Sequence, residues 1–263
     1  MRNQDSCPAC GMVNLVTYAV EPGLLHCSFC NTWCEQDRMT RVTYDEAYVA
    51  ERYDRYATTN AMSDLRRRVL EGVLHLHETL PIGRVCPQRG RLLDVGFGNG
   101  SFIRRARECG WDAWGHDVNP TEYDRVRRAV LPVHHILSEA ERYRVITFFD
   151  SLEHYPSLGW APLLSRNTDW IMISVPRVPN KFPFTEWKHR RPGEHHLHFR
   201  SPETFETLFS SAEIQARVVY YSNPEDQIRG NLPDGQPNIM TCILKTTSAE
   251  QTVINFSDKV FVG

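Results

Sequence analysis

No apolar run in this 263-residue chain approaches the ~18–20 residues that a membrane-crossing helix needs, so a helical membrane protein is excluded. The opening MRNQDSCPAC lacks the apolar core of a secretory signal. A cytoplasmic location is therefore expected, and in that reducing compartment cysteines bind metal more often than they pair as disulfides. Charge of one sign is missing too: the formal net charge is −2, which gives no global attraction to nucleic acid or membrane. No internal repeat and no low-complexity tract interrupts the chain. What remains, 41% hydrophobic and 24% charged residues, provides for one sizeable core and a small appendage.

The cysteines are unevenly placed. Five of the eight lie in the first 34 residues, at Cys7, Cys10, Cys27, Cys30 and Cys34. Cys86, Cys109 and Cys242 are scattered and read as small core residues. Cys7-x2-Cys10 and Cys27-x2-Cys30 have the spacing of a four-thiolate structural zinc site, with Cys34 as a spare that could replace Cys30 and His26 as a weaker ligand. Residues 1–43 hold few large aliphatic side chains, and so thin a core needs a staple such as a metal ion. This expected zinc ribbon carries three basic residues (Arg2, Arg38, Arg41) against four acidic ones (Asp5, Glu21, Glu35, Asp37), so it lacks a phosphate-binding footprint.

Residues 44–83 read as a helical lid or linker. In DLRRRVLEGVLHLHETL the apolar Leu65, Val69, Val73, Leu76 and Leu80 recur at helical spacing, and Pro81-Ile-Gly83 ends the pattern. From residue 84 to 246 strands and helices alternate. RLLDV, DAWGHD, YRVITFFD and DWIMISVP are short apolar strands, the last two too apolar to have a solvated face, which predicts a largely parallel, doubly wound sheet. SPETFETLFSSA predicts a helix with Ser201 as N-cap and Pro202 in its first turn. ARVVYYS and NIMTCILK add two strands, and the polar, turn-rich segment 223–238 between them predicts a surface loop. Residues 247–263 form a tail without pattern.

The strongest signal is Asp94-Val95-Gly96-Phe97-Gly98-Asn99-Gly100, where a buried strand meets a glycine turn and then a helix. Glycine allows positive φ and close approach of a ligand to the backbone, and the helix amides then face what is bound. The spacing is GxGxG, not the GxGxxG that seats a dinucleotide pyrophosphate. A second acidic residue, Asp117, closes the next strand 21 residues after Gly96, where a carboxylate can accept hydrogen bonds from both ribose hydroxyls of an adenosine.

With LLDVGFGNGSF at 92–102, WGHDVNP at 114–120, VITFFDSLEHYPS at 145–157 and GEHHLHFRSPETFETLF at 193–209, the chain resembles class I S-adenosylmethionine-dependent methyltransferases, in particular the ubiquinone-methyltransferase-like group. The resemblance covers about residues 90–245. It implies a Rossmann-like, doubly wound, mostly parallel seven-stranded sheet behind the small zinc ribbon, with S-adenosylmethionine as cofactor. It further implies that Asp94, Gly96, Gly98 and Gly100 line the methionine side, and that Asp117 holds the ribose with Val118 against the adenine. Phe149, Asp150 and Ser151 would lie near the sulfonium and methionyl amine, with His154 at the mouth of the crevice. In the group a tyrosine-rich helix similar to YDEAYVAERYDRY lies over the cofactor pocket, so Tyr44, Tyr48, Tyr53 and Tyr56 are lid candidates and Tyr48 or Tyr53 would reach the cofactor carboxylate; ordinary amphipathic packing is the alternative. Two departures stand out. No acidic residue for the adenine edge is evident in HHILSEAERY, and Arg144 replaces the aspartate common before the fourth strand.

Methyl transfer from a sulfonium needs alignment more than chemistry from the protein, and a general base helps when the acceptor is a hydroxyl or amine. Candidates are His154 with Glu153, and the cluster Glu194, His195, His196 and His198, of which His195 is the stronger base candidate. The cluster could instead anchor its loop or bind a second metal, although HHLH lacks the i,i+4 spacing of a helical metal site. Trp187 and Phe184 could stack on a planar acceptor or pack the loop. The expected partner is a small-molecule methyl acceptor, such as a nucleotide-linked sugar, a quinone or another biosynthetic intermediate. A nucleic-acid substrate guided by the ribbon and the arginines is the alternative. It is disfavoured because FDSLEHYP occupies the place of the Asn/Asp-Pro-Pro-aromatic run of amino-methylating enzymes, and no cysteine stands at a catalytic strand end. A non-catalytic binding protein that keeps the fold is a third reading, against which the intact glycine loop and Asp117 argue.

Overall fold

The computed structural model describes residues 6–13, 15–17, 23–35, 61–77, 89–117, 141–180, 187, 189–190, 196–229 and 238–248. Two sheets organise them. The larger is built from β4 (Arg91–Val95), β5 (Asp112–His116), β6 (Tyr143–Phe149), β7 (Thr168–Pro176), β9 (Ile214–Ser222) and β10 (Ile239–Ser248), in the order β5-β4-β6-β7-β10-β9. β5, β4, β6 and β7 are mutually parallel, with Leu93 opposite both Trp114 and Ile146, while β10 runs antiparallel to β7 and β9. The sheet is thus mixed, with six strands among the described residues where seven were expected; residues 118–140, between β5 and β6, lie outside them.

Alternation along the buried strands sends side chains to two cores. Leu93, Val95, Ile171, Ile173, Val175, Met240 and Leu244 join one cluster, and Leu92, Trp170, Met172 and Ile243 the other. The first is covered by α3 (Ala161–Ser165) and α4 (Glu203–Phe209), through Leu164, Phe205 and Phe209. The second is covered by α1 (Ala61–His77) and α2 (Ser101–Glu108), through Leu70, Leu74, Phe102 and Ile103. Helices on both faces explain why β6 and β7 are buried along nearly their whole length and mostly apolar: neither strand has a solvated side.

Three local expectations are corrected. α1 does not bury the stripe read from Leu65, Val69, Val73 and Leu76: Met62, Leu70, Val73 and Leu74 are buried, while Leu76 is 72% exposed, and Leu80 lies outside the described residues. The stripe is rotated because α1 packs against α2 as well as the sheet. Ser201 is not the N-cap of α4; Pro202 holds that position without a side-chain capping bond, and the Ser201 carbonyl accepts from the Thr204 amide at 3.4 Å. The 223–238 segment is not a surface loop throughout. It contains α5 (Asp226–Arg229), and Glu225 is only 1% exposed, drawn inward by ion pairs described below. Among the described residues no helix is long and apolar enough to cross a membrane.

The smaller sheet joins the N-terminal segment to the rest of the chain. β1 (Leu15–Thr17), β2 (Leu24–Cys27) and β3 (Thr32–Glu35) form an antiparallel ribbon, and β8 (Leu197–Phe199), from the connection after β7, pairs with β3 as its fourth strand. The Leu158 amide donates to the Pro8 carbonyl at 3.0 Å, and Cys7, Cys27, Cys30 and Cys34 belong to the same buried cluster as Leu158, Leu197 and Phe199.

Candidate active site

The carboxyl ends of β4 and β6 open onto a cleft of about 220 Å³. Its floor is the glycine turn, where Gly96, Gly98 and Gly100 all have positive φ, at 78°, 54° and 70°. The turn is fixed from three sides. The Gly96 amide donates to the His116 carbonyl at 2.6 Å, the Gly98 amide donates to Asp117 Oδ2 at 2.9 Å, and the Ser151 hydroxyl donates to the Val95 carbonyl at 2.6 Å. Asp94, Gly96, Phe97, Phe149, Asp150 and His154 line the cleft; Gly98, Gly100, Asp117 and Ser151 are not among the residues that line it. Val118, Tyr48, Tyr53 and His195 lie outside the described residues.

Asp94 is 2% exposed and accepts the Thr147 hydroxyl at 2.7 Å. Burial pushes its carboxyl up to about 7, more strongly than the Thr147 bond and the Arg66 charge pull it down. Asp150 meets the opposite balance. It too is desolvated, but the guanidinium charges of Arg229 and Arg66 outweigh that and hold it down at about 2. It also has left-handed backbone, φ 52°, a conformation that disfavours non-glycine residues and persists only where surroundings impose it.

Those surroundings were not read from the sequence. Arg66 on α1 donates twice to Glu225, from Nε to Oε1 at 2.7 Å and from Nη2 to Oε2 at 3.0 Å, and once to Asp150 at 3.0 Å. Its guanidinium also lies 4.2 Å from the centre of the Phe149 ring. Arg229 on α5 donates to both Asp150 oxygens and pairs with Glu225 at 2.6 Å, and Ser174 on β7 donates to Glu225 at 2.7 Å. One signal could have found Arg66: Met62, Arg66 and Leu70 stand at i, i+4, i+8, a charge inside a buried stripe. Arg229 and Glu225, across the chain from it, gave no comparable signal.

Opposite the turn lies a histidine-rich corner. Glu153, in the short 3-10 turn Leu152–His154, is 1% exposed, and burial together with the Asp150 charge raises its carboxyl well above the usual range. His154 Nε2 is 4.0 Å from Glu153 Oε1, and the rings of His154 and His196 meet edge to face, 4.6 Å between centres. His196 Nδ1 contacts His198 Nδ1 at 3.3 Å, and His198 Nε2 contacts Glu35 Oε1 at 3.4 Å. Arg190 donates to the same oxygen at 3.2 Å. Burial alone would raise Glu35; the bond to His198 and the Arg190 guanidinium outweigh it and leave the carboxyl below its ordinary value. A line of side chains thus runs from the cleft to the ribbon strand β3.

In the ribbon, ligand atoms of Cys7, Cys10, Cys27 and Cys30 all lie within 4.8 Å of one another, with Cys7–Cys30 and Cys10–Cys27 sulfur separations of 3.7 Å. Cys34 sits apart on β3, and His26 Nε2 is 2.7 Å from Asn31 Oδ1.

No curated protein matches this chain by sequence. Among solved structures it is similar to an S-adenosylmethionine-dependent methyltransferase from Clostridium acetobutylicum, at 11% identity and TM-score 0.47, over 76% of this chain and 96% of that one. It is also similar to 1,6-didemethyltoxoflavin-N1-methyltransferase from Burkholderia thailandensis, at 18% identity and TM-score 0.46, over 84% of this chain and 98% of that one. A family model described as a methyltransferase domain matches residues 61–216, from the first residue of α1 into β9 and across the whole glycine turn. With more than half of its length matched by that model, the chain belongs to the methyltransferase-domain family and is an S-adenosylmethionine-dependent methyltransferase.

Proposed function

We propose that the chain methylates a small-molecule acceptor held in the cleft between the glycine turn and the Glu153–His154–His196 corner. The observation that carries this reading is the charge around that cleft. Asp94, Asp150 and Glu153 line it against Arg66 and Arg229, and both guanidiniums are already engaged by carboxylates. With both guanidiniums taken up by carboxylates, neither is left to pair a phosphate, which disfavours a nucleic-acid strand threading past, while the ionised Asp150 suits a sulfonium and an ammonium. The bound donor supplies an electrophilic methyl group next to its sulfur. Asp94, with Gly96, would take the methionyl ammonium; Gly98 and Gly100 shape the turn; Asp117 would exchange its bond to the Gly98 amide for the ribose hydroxyls. Phe149 and Asp150 would flank the sulfonium, and Ser151 braces the turn from behind. His154 stands where it could take a proton from a hydroxyl, an amine or an activated carbon acid, so O-, N- and C-methylation each fit this arrangement.

The ribbon is part of this proposal. A tetrahedral ion with zinc–sulfur bonds of about 2.3 Å holds its sulfurs about 3.8 Å apart, and the two 3.7 Å pairs match that edge. We assign Cys7, Cys10, Cys27 and Cys30 to a structural Zn²⁺.

Calorimetric titration with S-adenosylhomocysteine tests the cofactor site. Micromolar binding that is lost in Asp117→Ala supports it; a folded wild-type protein that binds none would overturn it. Acceptors would then be screened with a labelled methyl donor.

A further inference from the structure

We infer that the Glu153–His154–His196 corner is a second metal site, for a divalent cation of borderline softness such as Zn²⁺, Fe²⁺ or Co²⁺. Three observations carry it. One ligand atom from each residue falls within 4.8 Å of the other two, and all three residues line the cleft, so a cation bound there keeps positions open toward it. Two imidazoles and a carboxylate are the donor set such cations prefer over Mg²⁺ or Ca²⁺. Second, Glu153 is 1% exposed, and its Oε2 has no hydrogen-bond partner among the described residues. A buried carboxylate oxygen in that condition is costly unless something positive meets it. The charges of Arg66 and Arg229 reach Glu153, but neither guanidinium hydrogen-bonds its Oε2.

The third observation is the support behind the corner. Metal-bound histidines hand their other ring nitrogen to an outer partner that fixes the ring. His196 meets His198 through Nδ1, so Nε2 is the nitrogen that would serve the cation, and His198 in turn meets Glu35 through its own Nε2. The ribbon strand β3 therefore braces a ligand of the cleft. Histidine spacing in the sequence does not reveal this, because the ligands come from two separate segments.

The role of the cation in catalysis rests on the methyl-transfer reading: its open positions would take oxygen atoms of the acceptor, and His154 would then serve as a ligand in place of acting as the base. Its presence can be measured without that reading. The 263-residue chain, as purified, is titrated with Co²⁺. Expected is one site per chain with weak visible bands and no thiolate-to-cobalt charge transfer, which separates it from the cysteine site. Glu153→Gln and His196→Ala should each weaken it by at least about tenfold, and His198→Ala by on the order of tenfold. The absence of a thiolate-free site, or one whose affinity stays within about twofold in Glu153→Gln and His196→Ala, would overturn the proposal. If those variants do not fold, wild-type protein decides: two imidazole N–H proton resonances shifted by bound Co²⁺ support it, and none overturn it. S-adenosylhomocysteine binding without Co²⁺ binding would sink the metal site alone.

Discussion

A methyl group on Gly96 would collide with Ser151. A Cβ built there lies 2.3 Å from the Ser151 Cβ and 2.9 Å from its hydroxyl oxygen. Gly96 also has φ +78°, where a side chain costs about 1–2 kcal/mol before any clash. Gly96→Ala should therefore lose stability by about 2–4 kcal/mol, the strain and the overpacking together, and weaken S-adenosylhomocysteine binding at least about tenfold. Adding Ser151→Gly relieves the collision but not the backbone strain, so the double variant should recover only part of the loss. Chemical denaturation and calorimetric titration of both variants decide; full recovery would show that the left-handed backbone contributes nothing.

Arg66 tests how the cleft is held open. Removing it leaves Glu225, 1% exposed, with Arg229 and Ser174, and deprives Asp150 of one of its two guanidinium partners. Breaking a buried pair on one side typically costs about 3–5 kcal/mol, so Arg66→Ala should destabilise by about 3 kcal/mol in a urea titration. Arg66→Lys keeps the charge but not the two-pronged geometry and should recover less than half of that loss. Equal stability of the wild type and the alanine variant would remove the network from the account of the fold.

If Asp94 takes the methionyl ammonium as proposed, it makes cofactor binding depend on pH. Burial raises its carboxyl to about 7. Because the folded value lies above the unfolded one, the native state holds an extra proton between about pH 4 and 7, and Asp94's contribution to stability falls as pH rises through that window. Binding moves the other way, since the ionised form attracts the methionyl ammonium. From about pH 6 to about pH 8 its ionised fraction rises roughly tenfold, and S-adenosylhomocysteine should bind several-fold tighter across that step. Asp94→Asn should flatten both dependences; an unchanged binding slope in this variant would assign it to another group.

The sequence made the methyl-donor side far more legible than the acceptor side, for a physical reason. The strand–glycine turn–helix unit is local: Asp94 to Gly100 specify their own backbone, and Asp117 follows at the end of the adjacent strand. The acceptor side is assembled from distant pieces. Arg66 and Glu225 are 159 residues apart, and Glu35 and His198 163. Such pairs leave no periodicity, and the segment containing Glu225 looked like solvated loop because its polarity is satisfied internally. Integration of the ribbon was hidden likewise: CxxC spacing announces a metal knuckle but not that β8 will pair with it.

That pairing yields the last prediction. No ribbon cysteine lines the cleft, yet the ribbon's loss should reach it. Structural zinc supplies folding free energy that so small a unit cannot obtain from its own core. β3 hydrogen-bonds to β8 with Thr32 opposite Phe199 and Cys34 opposite Leu197, and β8 sits between His196 and Arg200. Chelation of the metal, or Cys30→Ser, should therefore raise amide exchange at residues 197–199 as well as in β1–β3, while β4, β6 and β7, with their own parallel ladder, keep their protection. Methyl-transfer rate should fall with the zinc content, whereas S-adenosylhomocysteine binding at the glycine turn should fall by less than about threefold, since that turn is fixed by His116, Asp117 and Ser151. Unchanged exchange at 197–199 in metal-free protein would mean that β8 stands without the ribbon. A cofactor affinity that collapsed along with β8 would mean that the two halves of the cleft are one cooperative unit.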